Sequence, residues 1–397
     1  MSKSILILTS HFSSEFSPND TRICNDYAIE FSKMGYKVCV AHNKSIYPKL
    51  FYLIARRNIN IIAFFLGSDA VDRFVRTEPF WFIEEGVNVL FMPIKKYIPR
   101  GKFFKSAIRT SAERIYAELI KKDFKPDFIL GHFFNPNIFI LHELFAYFPR
   151  SIGSMVFHEK FSNVTKVISL EQLRLLVNKI DHIGFRSTSL KLSYESVLIE
   201  KNSFVNYSGI PIDYCLRHLH PSNTSTLRTL GFVGQMIPRK HPDALFKAAQ
   251  NTDVAFKIVY VGDGPLKSSL LNKAKGSSVE VQFKGYLARE KVLSVIDDFD
   301  LFIMISENEA FGLVYLEAMA RGKIVVASRN EGIDGVIVDG FNGFLCEAGN
   351  SKELTLVLNN LCKLSKLELN QIRINALRTA RSMSKENMAH RYINELI

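Results

Sequence analysis

The sequence predicts an α/β protein of two Rossmann-like domains, each a mostly parallel sheet flanked by helices. Two observations carry this reading and a third makes room for it. The chain opens with an apolar strand, Ser4 to Thr9, a helix from Thr21 to Met34 and a second strand, Lys37 to Ala41, which together form one βαβ unit. The same order restarts at Leu230 to Gly234 and recurs most plainly from Asp300 to Gly322, where an apolar strand, a polar loop and a helix follow one another. With 397 residues the chain is long enough for two such domains with proper cores.

In the first domain the polar loop from Ser10 to Asp20 stands at the carboxyl end of the first strand, where open α/β sheets bind ligands. It lacks the G-x-G-x-x-G phosphate fingerprint. Asp20 is placed to cap the helix, its side-chain oxygen bonding an early helical N–H, and Gly35 ends it. Residues 44–100 mix apolar and basic runs, Phe51 to Ile62 among them, with a strand from Val87 to Pro93. From Arg100 to Lys125 the chain is basic. Phe104, Ile108, Ile115 and Leu119 recur there at helical spacing, with Lys102, Lys105 and Arg109 off the stripe. Such a helix either lies on an anionic membrane surface or packs on its own sheet with a solvated basic face. Pro126 to His132 reads as a helix end, a turn and a strand. Ser154 to Phe157 is the next strand, with His158 and Glu159 at its end, and Ile180 to Arg186 follows. These elements make residues 1–208 the first domain, 209–226 a linker, 227–378 the second domain and 379–397 a C-terminal helix. His218 and His220 lie two apart in the linker without a third ligand nearby, so they read as linker rather than as a metal site.

Composition narrows the class. The net charge of +12 is uneven: residues 1–205 hold 28 Lys and Arg against 19 Asp and Glu. That excess favours anionic partners such as lipid headgroups or phosphates. No motif that reads RNA or DNA accompanies it, so no nucleic-acid partner is expected. The five cysteines are scattered, with no C-x-x-C pair, which argues for a reducing compartment and against a disulfide framework or a zinc site. The N-terminal apolar run is too short for a signal peptide, and no stretch reaches the ~18 apolar residues of a spanning helix. The densest apolar stretch runs from Ile59 to Leu66. A cytoplasmic protein is expected, with any membrane contact peripheral.

The second domain opens with the strand Leu230 to Gly234. A loop from Gln235 to His241 carries Arg239 and Lys240 side by side, and a helix runs from Asp243 to Gln250. Lys257 to Val261 is a strand ending in the tight turn Gly262-Asp263-Gly264-Pro265, whose glycines let the backbone approach a ligand. Val281 to Gly285 is another strand. The stretch that organises the domain follows: a strand from Leu301 to Ile305, a loop from Ser306 to Phe311, and a helix from Gly312 to Ala320 with Leu313 in its first turn. Glu309 in the loop and Glu317 in the helix bracket the helix start. Its unpaired N–H groups and partial positive charge suit a phosphate. A wholly helical step between the two glutamates would span roughly 12 Å, about the reach of a nucleotide diphosphate sugar from ribose to hexose. That geometry sets the diphosphate over the helix start, Glu317 on the ribose hydroxyls and Glu309 on the hydroxyls of the sugar.

These motifs carry a family resemblance. Glu309-x7-Glu317 with Phe311-Gly312 inside it, the Glu-Ala-Met-Ala run and Gly322 resemble the retaining glycosyltransferases of family 4, which have the GT-B fold. The resemblance extends over nearly the whole chain, closely from Leu230 to Leu345 and loosely before Gly209. It implies two Rossmann-like domains facing across a cleft, with the C-terminal helix crossing back to the first domain through Tyr392 and Ile393. It implies that Lys240 neutralises the donor diphosphate, that Gly262 and Asp263 lie near the nucleotide base, and that His158 stands near the donor sugar. Asp20-Thr21-Arg22-Ile23 resembles the D-x-R-I variant of the family's first loop, which would place Arg22 at the helix start facing the cleft; the residues alone fit a surface arginine equally. Gln235 stands where the family usually has arginine, which puts the diphosphate clamp in question, with Arg239 or Arg22 as the compensating charge. Asp298-Phe299-Asp300 looks like the D-x-D of metal-dependent glycosyltransferases of another fold. It precedes a buried strand instead of ending one, so no metal and no cofactor are expected.

The expected function is therefore a retaining transferase. It would move a sugar from a nucleotide diphosphate sugar, UDP-linked in preference to GDP-linked, to a glycan or lipid-linked glycan in surface polysaccharide synthesis. His158, Glu309 and Lys240 are the expected catalytic groups. Glu317, Phe311, Gly312, Leu313, Arg239, Gln235, Gly262, Asp263 and Arg22 are the expected donor contacts. Two rivals stay open: a GT-B sugar-nucleotide 2-epimerase, and a non-catalytic GT-B subunit that binds a glycan or a partner enzyme.

Overall fold

The computed structural model describes residues 2–18, 20–48, 76–97, 101–197, 202–218 and 227–397. The runs at 51–62 and 59–66, and His220 with the second half of the expected linker, lie outside the described residues. The chain divides into two compact units. One is Met1–Arg186 with Leu190–Asn206 and Ala389–Ile397; the other is Ser187–Ser189 with Tyr207–Met388.

The first unit is built on eight strands: β1 (Ser4–Thr9), β2 (Lys37–Ile46), β3 (Phe80–Glu84), β4 (Val87–Lys95), β5 (Phe128–His132), β6 (Ile152–Phe157), β7 (His182–Phe185) and β8 (Ser203–Val205). They lie in the order β3-β4-β2-β1-β5-β6-β7-β8. All neighbours are parallel except the β3–β4 pair. Its helices are α1 (Ile23–Lys33), α2 (Lys105–Lys121), α3 (Phe134–Leu144), α4 (Phe161–Val164), α5 (Leu170–Asn178) and α6 (Thr188–Ser193), the first two residues of α6 being counted with the second unit. β1 is buried along its whole length because helices cover both faces. Ile5 and Ile7 point into a core with Phe31 of α1, while Leu6 and Leu8 point into a second core with Ile108, Ile115 and Leu119 of α2. The basic amphipathic helix thus packs Ile108, Ile115 and Leu119 on its own sheet, while Phe104, its N-cap, stays at the surface with Lys105 and Arg109. Asp20 does not cap α1: the helix begins at Ile23, its N-cap is Arg22, and no side chain bonds its first amides. The Asp20 carboxylate has stronger donors to meet, described below.

The second unit holds six parallel strands with intervening helices: β9 (Thr229–Val233), α7 (Pro242–Gln250), β10 (Lys257–Val261), α8 (Lys267–Ala274), β11 (Glu280–Gly285), α9 (Arg289–Ile296), β12 (Leu301–Met304), α10 (Leu313–Ala320), β13 (Ile324–Ser328), β14 (Phe344–Cys346), α11 (Ser351–Leu361) and α12 (Lys366–Ser382). The order is β11-β10-β9-β12-β13-β14, so the direction of winding reverses between β9 and β12. The loops leaving those two strands diverge there and leave a crevice, the place where such sheets take ligands. Capping boxes at Ser169 for α5 and Ser365 for α12, and Asn350 for α11, satisfy the first helical amides.

Two boundaries differ from the expected ones. The linker does not start free at residue 209. Ile210 is fully buried, donates its amide to Met383 O and accepts from the Lys385 amide. An apolar Gly-Ile-Pro stretch gains more from that pairing than from solvent. The C-terminal segment assigned from 379 opens inside the preceding helix, while its own helix starts at Lys385, as the sequence suggests. α12 runs through to Ser382, and α13 (Lys385–Asn394) follows. Ala389–Ile397 is counted with the first unit, where Tyr392 and Ile393 are buried beside Tyr27 and Phe204.

Candidate active site

In the second unit the loop after β9 and the loop after β12 meet at the switch point. Pro238–Lys240 forms a turn of 3-10 helix, and the Glu307 amide donates to Arg239 O at 2.7 Å, tying the two loops together. This brings both cations of the first loop to the glutamate of the second. Glu309 Oε2 lies 3.5 Å from Arg239 Nη1 and 3.6 Å from Lys240 Nζ. Lys240 and Glu309 are largely buried, while Arg239 is partly open. Burial holds the Lys240 ammonium below its ordinary range, and Glu309 pulls it back toward the charged form. Lys240 Nζ also lies 3.6 Å from Met304 Sδ at the end of β12. The Glu309 backbone is fixed in turn: its amide donates to Glu331 Oε2 at 2.9 Å, and its carbonyl accepts from Gly332.

The Gly262 turn lies against the same loop. Gly262 has φ +125°, and a Cβ there would stand 2.1 Å from Gly234 O, so only glycine allows the two backbones to meet. Met236 N donates to Asp263 O and Leu266 N to Met236 O, which completes the seam. The Asp263 side chain, by contrast, folds on its own turn. It accepts from Gly264 N at 2.8 Å and from Lys267 Nζ at 2.7 Å, which lowers its pKa. Gln235 is exposed beside this seam.

The helix start is shaped by Gly312, at φ +80°, as N-cap of α10. A Cβ there would lie 2.5 Å from the Tyr315 ring, whose hydroxyl donates to Met304 O at 2.6 Å. No side chain caps α10; the Tyr315 amide donates to Gly312 O at 3.1 Å, and the amides of Leu313 and Val314 before it are left for solvent or a ligand. Phe311 is buried against Tyr207, with ring centroids 5.3 Å apart, and Leu313 is half-buried. Glu317, one turn further on, is 6% exposed and accepts from Arg289 Nη2 at 2.6 Å. Arg289 also stands over the Tyr214 ring, 5.7 Å from its centre. The sequence gives no sign of this Glu317–Arg289 pair, because it is made by the fold across 28 residues. Asp300 serves the strand start: its Oδ2 accepts from the amides of Arg228 and Thr229. Among the described residues no group of three or more Asp, Glu, His or Cys side chains gathers as a metal site.

In the first unit the reversal falls between β1 and β5, and the loops after those strands meet there in the same way. His158, at the end of β6, stacks on Phe133 with centroids 3.8 Å apart. Its Nε2 lies 3.2 Å from Nδ1 of the fully buried His132. Burial and the nearby Arg186 guanidinium hold His158 well below its ordinary pKa, and the same causes bring His132 down to about 3. Phe133 takes a left-handed φ of +61°, which turns its ring onto His158 and, on its other side, toward His11 at 4.6 Å. His11 Nδ1 lies 3.1 Å from Asp20 Oδ1, while Lys44 Nζ and His42 Nε2 lie 3.3 and 3.4 Å from Oδ2. Although burial opposes it, this ring of donors drives the Asp20 carboxyl far below its usual range. The cluster escapes a reading of the sequence because β2 runs five residues past its expected end at Ala41, carrying His42 and Lys44 into reach. Arg22 takes no part in it. It pairs with Glu85 at 2.5 Å and Asp26 at 4.0 Å on the surface. The structure thus brings Glu309, Arg239 and Lys240 together, seats the Gly262 turn against their loop and sets Gly312 and Glu317 on α10. His158 and Arg22 belong to the other unit.

Residues 220–378 match the family model described as glycosyl transferases group 1. Within curated proteins, N-acetyl-alpha-D-glucosaminyl L-malate synthase from Bacillus anthracis is 38% identical over 100 residues, 25% of this chain and 26% of that protein. An uncharacterized glycosyltransferase from Methanocaldococcus jannaschii is 33% identical over 124 residues, 31% of this chain and 35% of that protein. The matches therefore span about a quarter to a third of these two relatives. Over the whole chain the fold resembles sucrose-phosphate synthase from Thermosynechococcus elongatus, with a TM-score of 0.69 and 14% identity, covering 99% of this chain and 98% of that one. It also resembles Anabaena HepE, solved in complex with UDP and glucose, with a TM-score of 0.63 and 18% identity, covering 99% of both chains. The fold is GT-B.

Proposed function

We propose that this protein, whose residues 220–378 match the model of the glycosyl transferases group 1 and whose fold is GT-B, is a retaining glycosyltransferase. It transfers a sugar from a nucleotide diphosphate sugar to a glycan or lipid-linked glycan in surface polysaccharide synthesis. One observation carries the reading: Lys240, Arg239 and Glu309 converge where the β9 and β12 loops meet, next to the uncapped start of α10. A diphosphate there meets two cations and free helical amides, and its developing negative charge is stabilised as it leaves. Glu309 accepts from hydroxyls of the sugar, and Glu317, oriented by Arg289, accepts from the ribose. The leaving phosphate takes the proton of the attacking acceptor hydroxyl on the same face, while Lys240 balances its charge. The reading involves no metal ion. A UDP-linked donor is favoured, and the UDP complexes of HepE support that choice; a curated relative described as a GDP-mannose-dependent mannosyltransferase, 24% identical over 213 residues, keeps GDP-sugars in the test.

The test follows each nucleotide sugar of a UDP and GDP panel by proton NMR, with and without short glycan acceptors. Transfer with the anomeric configuration kept is the expected result. Release of a free 2-epimerised nucleotide sugar would replace the reading with the epimerase. No turnover with any donor would leave the non-catalytic subunit.

A peripheral membrane contact by the first domain, at a cytoplasmic membrane face, is part of the proposal. It is motivated by the charge excess of residues 1–205 and by Phe104, which is 61% exposed beside Lys102 and Lys105. No helix of the described residues is long and apolar enough to cross a membrane. In a flotation assay with anionic liposomes, the protein rises with the vesicles at low salt and is released at high salt. Failure to float at low salt would remove the membrane contact from the account.

A further inference from the structure

We infer that His132 is a positioning residue that fixes the tautomer of His158: His132 donates its Nδ1–H to His158 Nε2, so that His158 presents Nδ1–H as its outward donor. The inference rests on the transferase reading for any use of His158 in the reaction, though not for the tautomer itself.

The geometry admits two arrangements of the 3.2 Å contact between His132 Nδ1 and His158 Nε2. If His158 donated, His132 would carry its own proton on Nε2. That atom is buried and has no hydrogen-bond partner, so a donor N–H would be orphaned in the interior. If His132 donates, the orphan at Nε2 is a lone pair instead. Orphaned buried N–H groups are the rarer of the two in folded proteins. The surroundings point the same way. Arg186, 1% exposed, lies among the same aromatic residues and donates to Asn206 O at 2.7 Å. A lone pair is the better neighbour for a buried guanidinium than a second N–H. His132 cannot turn away from the task. It is packed between Tyr27, at 5.7 Å and 30°, and Tyr392, at 5.7 Å and 80°, and its carbonyl is held by Asn137 Nδ2 at 2.6 Å.

His158 is held as firmly. Phe133 stacks on its ring, and its backbone amide donates to Glu159 Oε2 at 3.1 Å. Glu159 also accepts from the Phe134 amide, so one carboxylate fixes the end of β6 to the start of α3. With Nε2 engaged by His132, Nδ1 is the ring atom of His158 without a hydrogen bond among the described residues, and His158 is half-buried rather than closed off. A neutral imidazole with Nδ1–H outward is a hydrogen-bond donor to a sugar hydroxyl or to an oxygen that gains negative charge during transfer. The opposite tautomer would be an acceptor at that place.

Histidine nitrogen NMR on the unliganded protein tests the inference without any substrate. Ring nitrogens are assigned with His158→Gln and His132→Leu, and folding of each variant is checked by circular dichroism. The expected wild-type spectrum shows His158 protonated on Nδ1. In His132→Leu, which removes a buried polar ring and keeps the site filled, His158 loses that preference and populates both tautomers. In His132→Asn, whose amide N–H takes the place of Nδ1–H, the preference returns. A wild-type His158 protonated on Nε2, or an Nδ1 preference unchanged in His132→Leu, would overturn the inference. Should the donor be found, His132→Leu is expected to lower kcat about tenfold at unchanged KM, and His132→Asn to recover most of it. Equal rates in all three proteins with the tautomer as expected would show that His158 is positioned but not used, and would count against its role in transfer alone.

Discussion

Lys240→Met is expected to lower sugar transfer about 100- to 1,000-fold while leaving the protein folded. The size follows from the place of the charge. Lys240 is the more deeply buried of the two cations that meet Glu309, and a preorganised charge aimed at a departing phosphate is worth that much in a site shielded from water. The fold survives because methionine keeps the length of the stem, and its end lies against Met304 Sδ, where Nζ now stands at 3.6 Å. Burial already works against the ammonium, so its removal relieves a desolvation cost, and Glu309 keeps Arg239 as a counter-ion. Arg239→Met, at a side chain 41% exposed, should cost less. Turnover in the donor assay and a melting curve check both halves. Transfer within about threefold of wild type, in a folded protein, would move the diphosphate away from Lys240.

Glu317→Ala is expected to weaken donor binding about 100-fold. A carboxylate that is 6% exposed and already oriented by Arg289 at 2.6 Å loses little entropy when it accepts from two ribose hydroxyls. Each charge-assisted hydrogen bond is worth about 1.5–3 kcal/mol, so losing the pair costs on that order after water is replaced. Arg289 is partly exposed and can turn to solvent when its partner is removed, which limits the damage to the fold. Arg289→Gln separates orientation from contact. It should weaken binding less, because the carboxylate remains.

Much of this was legible in the sequence, for physical reasons that differ by element. The parallel strands of both domains stand out because they are buried on both faces, which leaves short apolar runs such as Leu301–Met304. The helix start at Gly312 stands out because a left-handed N-cap against the Tyr315 ring requires glycine. Lys240 and Glu309 could be named because their motifs resemble those of a known family; that they meet, with Arg239, follows from the fold, since β9 and β12 flank the switch point and their loops share it. What stayed hidden depends on register and long-range pairing. The length of β2 decides whether His42 and Lys44 reach Asp20, and nothing local marks its end. Asp20 reads as a helix cap because aspartate before a helix usually is one, yet two histidines and a lysine outcompete the helical amides for it. Arg289, Arg186 and His132 each act on a residue more than 15 positions away, and a single sequence holds no trace of such pairs.

The most direct test of the central claim is isothermal titration of a UDP- and GDP-sugar panel into wild type and Glu317→Ala. The account predicts that one nucleotide sugar binds the wild type and that Glu317→Ala binds it about 100-fold more weakly, with the nucleotide diphosphate alone weakened in parallel. If no nucleotide sugar and no nucleotide diphosphate binds a folded wild type, the exposed Gln235 has left the phosphate site without its clamp. The claim that this domain holds a nucleotide-sugar donor would then be contradicted.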